Sequence, residues 1–136
     1  SRTRASCSRR LGATAVTDPA QHWQAWSAAA QQAHLSANRP VFVDFTAAWC
    51  VTCQYNKKTT LADAQLLADM DARQVVLMRA DWTRRDPAIT QAITALGRSG
   101  VPVYALYAPG QAPVLLSELP SVAEVQAALQ KLPAIR

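Results

Sequence analysis

Cys50 and Cys53, separated by Val51 and Thr52, follow a turn of small residues, Thr46-Ala47-Ala48, and Trp49. If the pair opens a helix, residues three apart share one face and the two sulfurs come within bonding distance. Unpaired amides and the positive end of the macrodipole at a helix start both favour a thiolate, so the first cysteine acquires a lowered pKa. Cys50 is therefore the expected nucleophile, and Cys53, one turn further in and more buried, the resolving thiol. The cycle would be attack by Cys50 on a disulfide, a mixed disulfide, and release by Cys53. A metal site is the competing use of this spacing. Structural zinc needs four ligands, and Cys7, His22 and His34 form no second pair. Copper-carrying pairs usually sit in loops among small or Met neighbours, not after Ala-Ala-Trp. Redox chemistry is the preferred reading, with no metal and no cofactor beyond a Cys50–Cys53 disulfide.

Asp44 lies six residues before Cys50, inside the apolar run Val41-Phe42-Val43-Asp44-Phe45. A carboxylate there should face the region behind the cysteines with a pKa raised by desolvation, ready to take the resolving thiol's proton. An Asp that merely bonds a turn is the plainer alternative, and its flanking by Val43 and Phe45 argues against it. Val101-Pro102 starts another apolar run. Proline at a strand start is unremarkable, whereas a cis bond would expose the Val101 backbone for pairing with a substrate chain. The spacing leaves the isomer open. Trp49 is expected to cover the disulfide; Trp23, Trp26 and Trp82 read as packing residues. His22 and His34 read as surface residues of a first helix.

These residues need elements to position them. Asp18-Pro19 resembles an N-cap and first turn, predicting a helix through Trp23, Trp26, Ala30 and Ala33 to about Asn38-Arg39-Pro40. The Val41 run predicts a strand buried on both faces. A helix from Trp49 to about Lys58 and a second helical segment over 61–70 follow. Val75-Val76-Leu77-Met78 predicts a strand, and Asp86-Pro87 caps a helix stopping near Gly97. Val101 to Tyr107 and Val114-Leu115-Leu116 predict a hairpin around Pro109-Gly110. Ser121 and Glu124 predict a capping box on a last helix through Val122, Val125, Leu129 and Leu132. The order α-β-α-β-α-β-β-α gives an α/β domain with parallel units and one antiparallel addition.

The chain has 136 residues, half of them hydrophobic, which suits one domain with its own core. No run of about eighteen apolar residues suggests a membrane helix, and no signal peptide is visible at the start. The net charge of +5 and pI of 9.6 invite a nucleic-acid reading. However, Arg2, Arg4, Arg9 and Arg10 carry four of those units, leaving 10 basic and 9 acidic residues in 11–136. Residues 1–18 read as a mobile basic linker or an expression remnant holding a free Cys7, and 19–136 as the folded domain. No nucleic-acid partner is expected.

The segment Val43-Asp44-Phe45-Thr46-Ala47-Ala48-Trp49-Cys50-Val51-Thr52-Cys53, with Gly100-Val101-Pro102, resembles the thioredoxin superfamily. More narrowly, Cys-Val-Thr-Cys, Ala80-Asp81-Trp82-Thr83 and 97–102 resemble the C-terminal periplasmic domains of DsbD-type transmembrane disulfide reductases, including the ScsB-like branch. The resemblance spans about 38–131. It implies a thioredoxin-like fold with a mixed sheet of about four strands flanked by helices. It also implies a monomeric protein-disulfide reductase domain on the periplasmic side of the bacterial inner membrane, a location tied to cytochrome c biogenesis. Electrons would come from a membrane-embedded cysteine pair and pass to a periplasmic disulfide-carrying protein or domain. Cys50 would attack, Cys53 resolve, Asp44 handle the proton, and Pro102 shape the groove and keep metal from the cysteines. Several domains of that group have a Glu a turn after the second cysteine, where this chain has Lys57, a cation in place of a second carboxylate. Two other readings stay open here: a freestanding oxidase or isomerase with opposite electron flow, and a copper- or zinc-binding module.

Overall fold

The computed structural model describes residues 22–133. The elements run β1 (Trp23–Ala25), α1 (Ala28–Ser36), β2 (Val41–Thr46), α2 (Val51–Lys58), a 3-10 turn (Thr60–Ala62), α3 (Ala64–Ala72), β3 (Val76–Asp81), α4 (Pro87–Ala95), β4 (Val103–Tyr107), β5 (Val114–Leu115) and α5 (Val122–Gln130). The sheet order is β1-β3-β2-β4-β5. β3 runs parallel to both β1 and β2, whereas β4 is antiparallel to β2 and to β5. The centre of the sheet is β2, buried at all six residues. An apolar run with no alternation is what a strand covered on both faces requires.

Alternate residues of the strands feed two cores. Phe42, Leu77, Tyr104 and Leu106 meet Leu66, Met70, Val125 and Leu129 of α3 and α5 on one face. Val41, Val43, Phe45, Met78 and Ala105 meet Ile89 and Ile93 of α4 on the other. Ser27 Oγ caps α1, Asp63 caps α3, Asp86 caps α4 and Ser121 caps α5. Gly97, at φ +80, ends α4 in the left-handed conformation that glycine adopts without strain.

Two sequence expectations change. The predicted first helix is divided: Trp23–Ala25 is a strand, so the sheet has five strands, and α1 starts only at Ala28. Trp23 and Trp26 are three apart, which on a helix puts both on one face. In extended chain an odd separation sends them to opposite faces. Trp23 packs against Phe42 in the first core and Trp26 against Phe45 in the second, with centroids 6.2 Å apart in each case. That divergence holds the segment as a strand. It also removes His22 from the helix on which it was expected. The Asp18-Pro19 cap and the 1–18 linker with Cys7 lie outside the described residues. The second change is at α5: Ser121 Oγ accepts from Glu124 N, but the Glu124 carboxylate reaches back to Ser117 N and Oγ, both at 2.7 Å. Half of the capping box forms, and the other half ties the helix to the preceding loop.

Candidate active site

Cys50 is the N-cap of α2 and Cys53 lies in its first turn, so the small-residue turn after β2 delivers both to one end of the sheet. They form a disulfide with Cα atoms 5.2 Å apart. Cys50 Sγ accepts a hydrogen bond from Cys53 N at 3.2 Å, which aims a helix-start amide at the sulfur. Cys53 is fully buried and Cys50 is 8% exposed. The order of exposure matches expectation, although Cys50 is more enclosed than an open turn would leave it. Ala47 and Val101 pack directly on the pair. Val101–Pro102 is a cis peptide, and Pro102 is buried.

Asp44 lies on the face of β2 shared with Phe42, opposite Tyr104 in the ladder. It does not bond either cysteine. Its Oδ2 accepts from Arg79 Nε at 3.0 Å across the β2–β3 register, and its Oδ1 is buried without a partner. Burial drives its pKa above the ordinary carboxylate value, against the opposing pull of the Arg79 guanidinium and the Lys57 ammonium. Lys57, one turn after Cys53, is itself pushed down by burial, with Asp44 acting to raise it. The Lys57 charge thus acts on the Asp44 carboxylate. Tyr104, across the other ladder, is raised by burial and by Asp44, and its hydroxyl accepts from Asn56 Nδ2 at 2.7 Å. That bond docks α2 on the sheet.

Arg79 was missed by sequence reasoning. A lone cation within the run 75–80 opposite a lone acid in the run 41–45 was the available signal, but pairing the two requires the strand register. Arg79 in turn lies 4.3 Å from the centroid of Trp23, so β1 braces it.

The rim around the disulfide is apolar and open. Trp49, Val51 and Tyr55 are 49%, 83% and 57% exposed. The Trp49 turn is held by the loop after β3: Ala48 N donates to Thr83 Oγ1 at 2.8 Å and Trp49 Nε1 to Thr83 O at 3.1 Å. Asp81 Oδ1 accepts from Thr83 N and from its hydroxyl, fixing that side chain and lowering the Asp81 pKa. Trp82 is buried, lies 6.0 Å from Trp49 between centroids, and donates to Thr90 Oγ1 at 2.7 Å. It packs, as expected, and also backs Trp49. His34 lies on α1, its Nδ1 3.3 Å from Arg39 Nη2. Among the described residues, no group of three or more His, Cys, Asp or Glu side chains could hold a metal.

A disulfide at the start of a helix, after the central strand of this mixed sheet and beside a cis-proline loop, defines the thioredoxin class. A Thioredoxin-like family model matches residues 22–109, and the chain belongs to that family. The thiol:disulfide interchange protein DsbD 1 of Pseudomonas aeruginosa is 32% identical over 95 residues, covering 70% of this chain and 15% of that protein. DsbD of Vibrio vulnificus is 41% identical over 64 residues, 45% of this chain and 10% of that protein. The chain therefore spans only a small part of these relatives. Among solved structures, the oxidised C-terminal domain of DsbD from Neisseria meningitidis superposes with a TM-score of 0.65 at 20% identity, covering 80% of this chain and 97% of that one. A thioredoxin from Thermus thermophilus gives 0.64 at 20% identity, covering 81% and 85%. The fold is thioredoxin-like.

Proposed function

We propose that the domain reduces protein disulfides as a carrier in a DsbD-type electron relay on the periplasmic side of the bacterial inner membrane. The observation that carries this is the Cys50–Cys53 cystine at the start of α2, with the Cys53 amide aimed at Cys50 Sγ and an apolar rim open above it. Its donor would be a membrane-embedded cysteine pair, and its acceptor a periplasmic disulfide-bearing protein. Among the described residues no helix is long and apolar enough to cross a membrane, so that donor pair would belong to another segment or chain.

In the reduced domain, the Cys50 thiolate attacks one sulfur of the partner's disulfide, whose S–S bond breaks as the other sulfur leaves as thiolate and takes a proton. Cys53 then loses its proton to the Asp44 carboxylate and attacks Cys50 Sγ. The mixed disulfide breaks, and the partner's second thiol is released. Two electrons move from domain to partner, and the Cys50–Cys53 bond re-forms. Val101 and Pro102, beside the cystine, would line the groove for the partner chain, and Trp49 would cover its edge.

Insulin reduction with a dithiol donor tests the chemistry: activity in the parent and none in Cys50→Ser is expected, with Cys53→Ser accumulating a mixed disulfide. The reduction potential tests the direction. A value near the thioredoxin end, about −270 mV, supports a reductase; one near −120 mV would make the domain an oxidant. Stoichiometric metal binding without exchange would make it a metal module.

A further inference from the structure

Arg85 stands over the rim of the disulfide. Its guanidinium carbon lies 5.1 Å from the ring centroid of Trp49 and 5.0 Å from that of Trp82, folded back on two indoles rather than extended into solvent. The backbone assists: Arg85 has φ +54, the left-handed conformation disfavoured for a non-glycine residue, and its N–H donates to Trp82 O at 2.9 Å. Trp49 immediately precedes Cys50, so the cation is held beside the entrance to the cystine.

What Arg85 lacks is an acid. The ion pairs among the described residues are Arg79–Asp44 and Arg98–Glu118. The neighbouring carboxylates are engaged elsewhere: Asp81 with Thr83, and Asp86 with the first amide of its own helix at Ala88. Among the described residues the Arg85 guanidinium donates no hydrogen bond and makes no ion pair, so its N–H donors remain available in the fork that fits a carboxylate.

We propose that Arg85 is a specificity-determining contact, which receives an Asp or Glu side chain placed beside the cystine of the protein that the domain reduces. The partner's apolar surface would lie on Trp49, Val51 and Tyr55 while its carboxylate meets the guanidinium. This rests on the exchange reading above and names the chemistry of the acceptor.

The test uses three cystine peptides of one length, differing only in Asp, Ser or Lys at the two positions flanking the cystine. Second-order rate constants for their reduction by the reduced domain are measured at low salt and at about 0.5 M salt, where screening shortens the reach of the charge. The parent is expected to favour the Asp over the Lys peptide roughly tenfold at low salt, and much less at high salt. The ratio should fall to near one in Arg85→Gln, invert in Arg85→Glu, and be partly restored in Arg85→Lys. Far-UV spectra and melting curves confirm that each variant is folded, and Arg85→Gln carries the test if the Glu variant is not. An Asp-to-Lys ratio unchanged in Arg85→Gln overturns the proposal. So does a uniform fall on all three peptides with the ratio kept, which would assign the charge to the Cys50 thiolate. If the parent reduces none of the peptides, exchange itself fails rather than the acidic preference alone.

Discussion

Asp44 is the residue on which the site's energetics turn. A fully buried carboxylate with one oxygen on Arg79 and one unpartnered costs free energy whenever it is ionised. Its folded pKa lies above the unfolded 3.8, so the folded state holds the proton more tightly. Stability from this group is complete below that unfolded value and is lost as pH rises through the raised folded value. Asp44→Asn keeps the shape and removes the charge, and Arg79, still partly exposed, can turn to water. At pH 7 the variant should melt a few degrees higher, by about 1–2 kcal/mol, with a flat stability profile across the window where the parent declines. It should also resolve mixed disulfides more slowly, on the order of a hundredfold, for want of a base. A parent whose stability is flat from pH 4 to 8, or an Asn variant that exchanges at full rate, would remove Asp44 from this role. The cysteines and this acid were legible in the sequence because their types are rare in such company. Arg79 was not, because a cation near a strand end has many innocent explanations until the register sets it opposite Asp44.

At the scale of elements, α4, α5 and the central strands followed from caps and apolar runs, whereas β1 and the start of α1 did not. Three residues carry too little pattern to display a period, and the Trp23–Trp26 spacing imitates a helix. Only the presence of two cores, one on each face of the sheet, shows that the two rings diverge. This edge strand matters to the site. Trp23 packs edge-on to Phe42 and under the Arg79 guanidinium, and Arg79 holds Asp44. The line runs from an edge strand through a cation to the buried acid. Trp23→Ala should therefore cost about 2–3 kcal/mol in urea unfolding, less than a fully buried Trp because the ring is only partly buried. It should also shift the pH dependence of exchange upward, since an Arg79 with more freedom pairs less well and leaves Asp44 harder to ionise. Loss of stability with an unmoved pH profile would confine Trp23 to packing.

At the scale of the whole molecule, charge and chemistry occupy different parts of the chain. Residues 22–133 carry all the elements, the cystine, Asp44 and the aromatic rim. Four arginines lie before residue 11. A basic pI would ordinarily suggest polyanion binding, but four of the five units of net charge trace to the arginines before residue 11. The domain boundary placed at residue 18 can be tested on this basis. A chain of residues 19–136 loses four arginines and Asp18, taking the net charge from +5 to +2, and also loses Cys7. It retains four residues ahead of β1. Its melting temperature and its insulin-reduction rate should equal those of the full chain within error, while retention on a heparin column should fall. A lower melting temperature would extend the folded unit into 1–18. A lower reduction rate at equal stability would assign the basic segment to partner binding, with the acidic acceptor inferred from Arg85 the natural occupant of both.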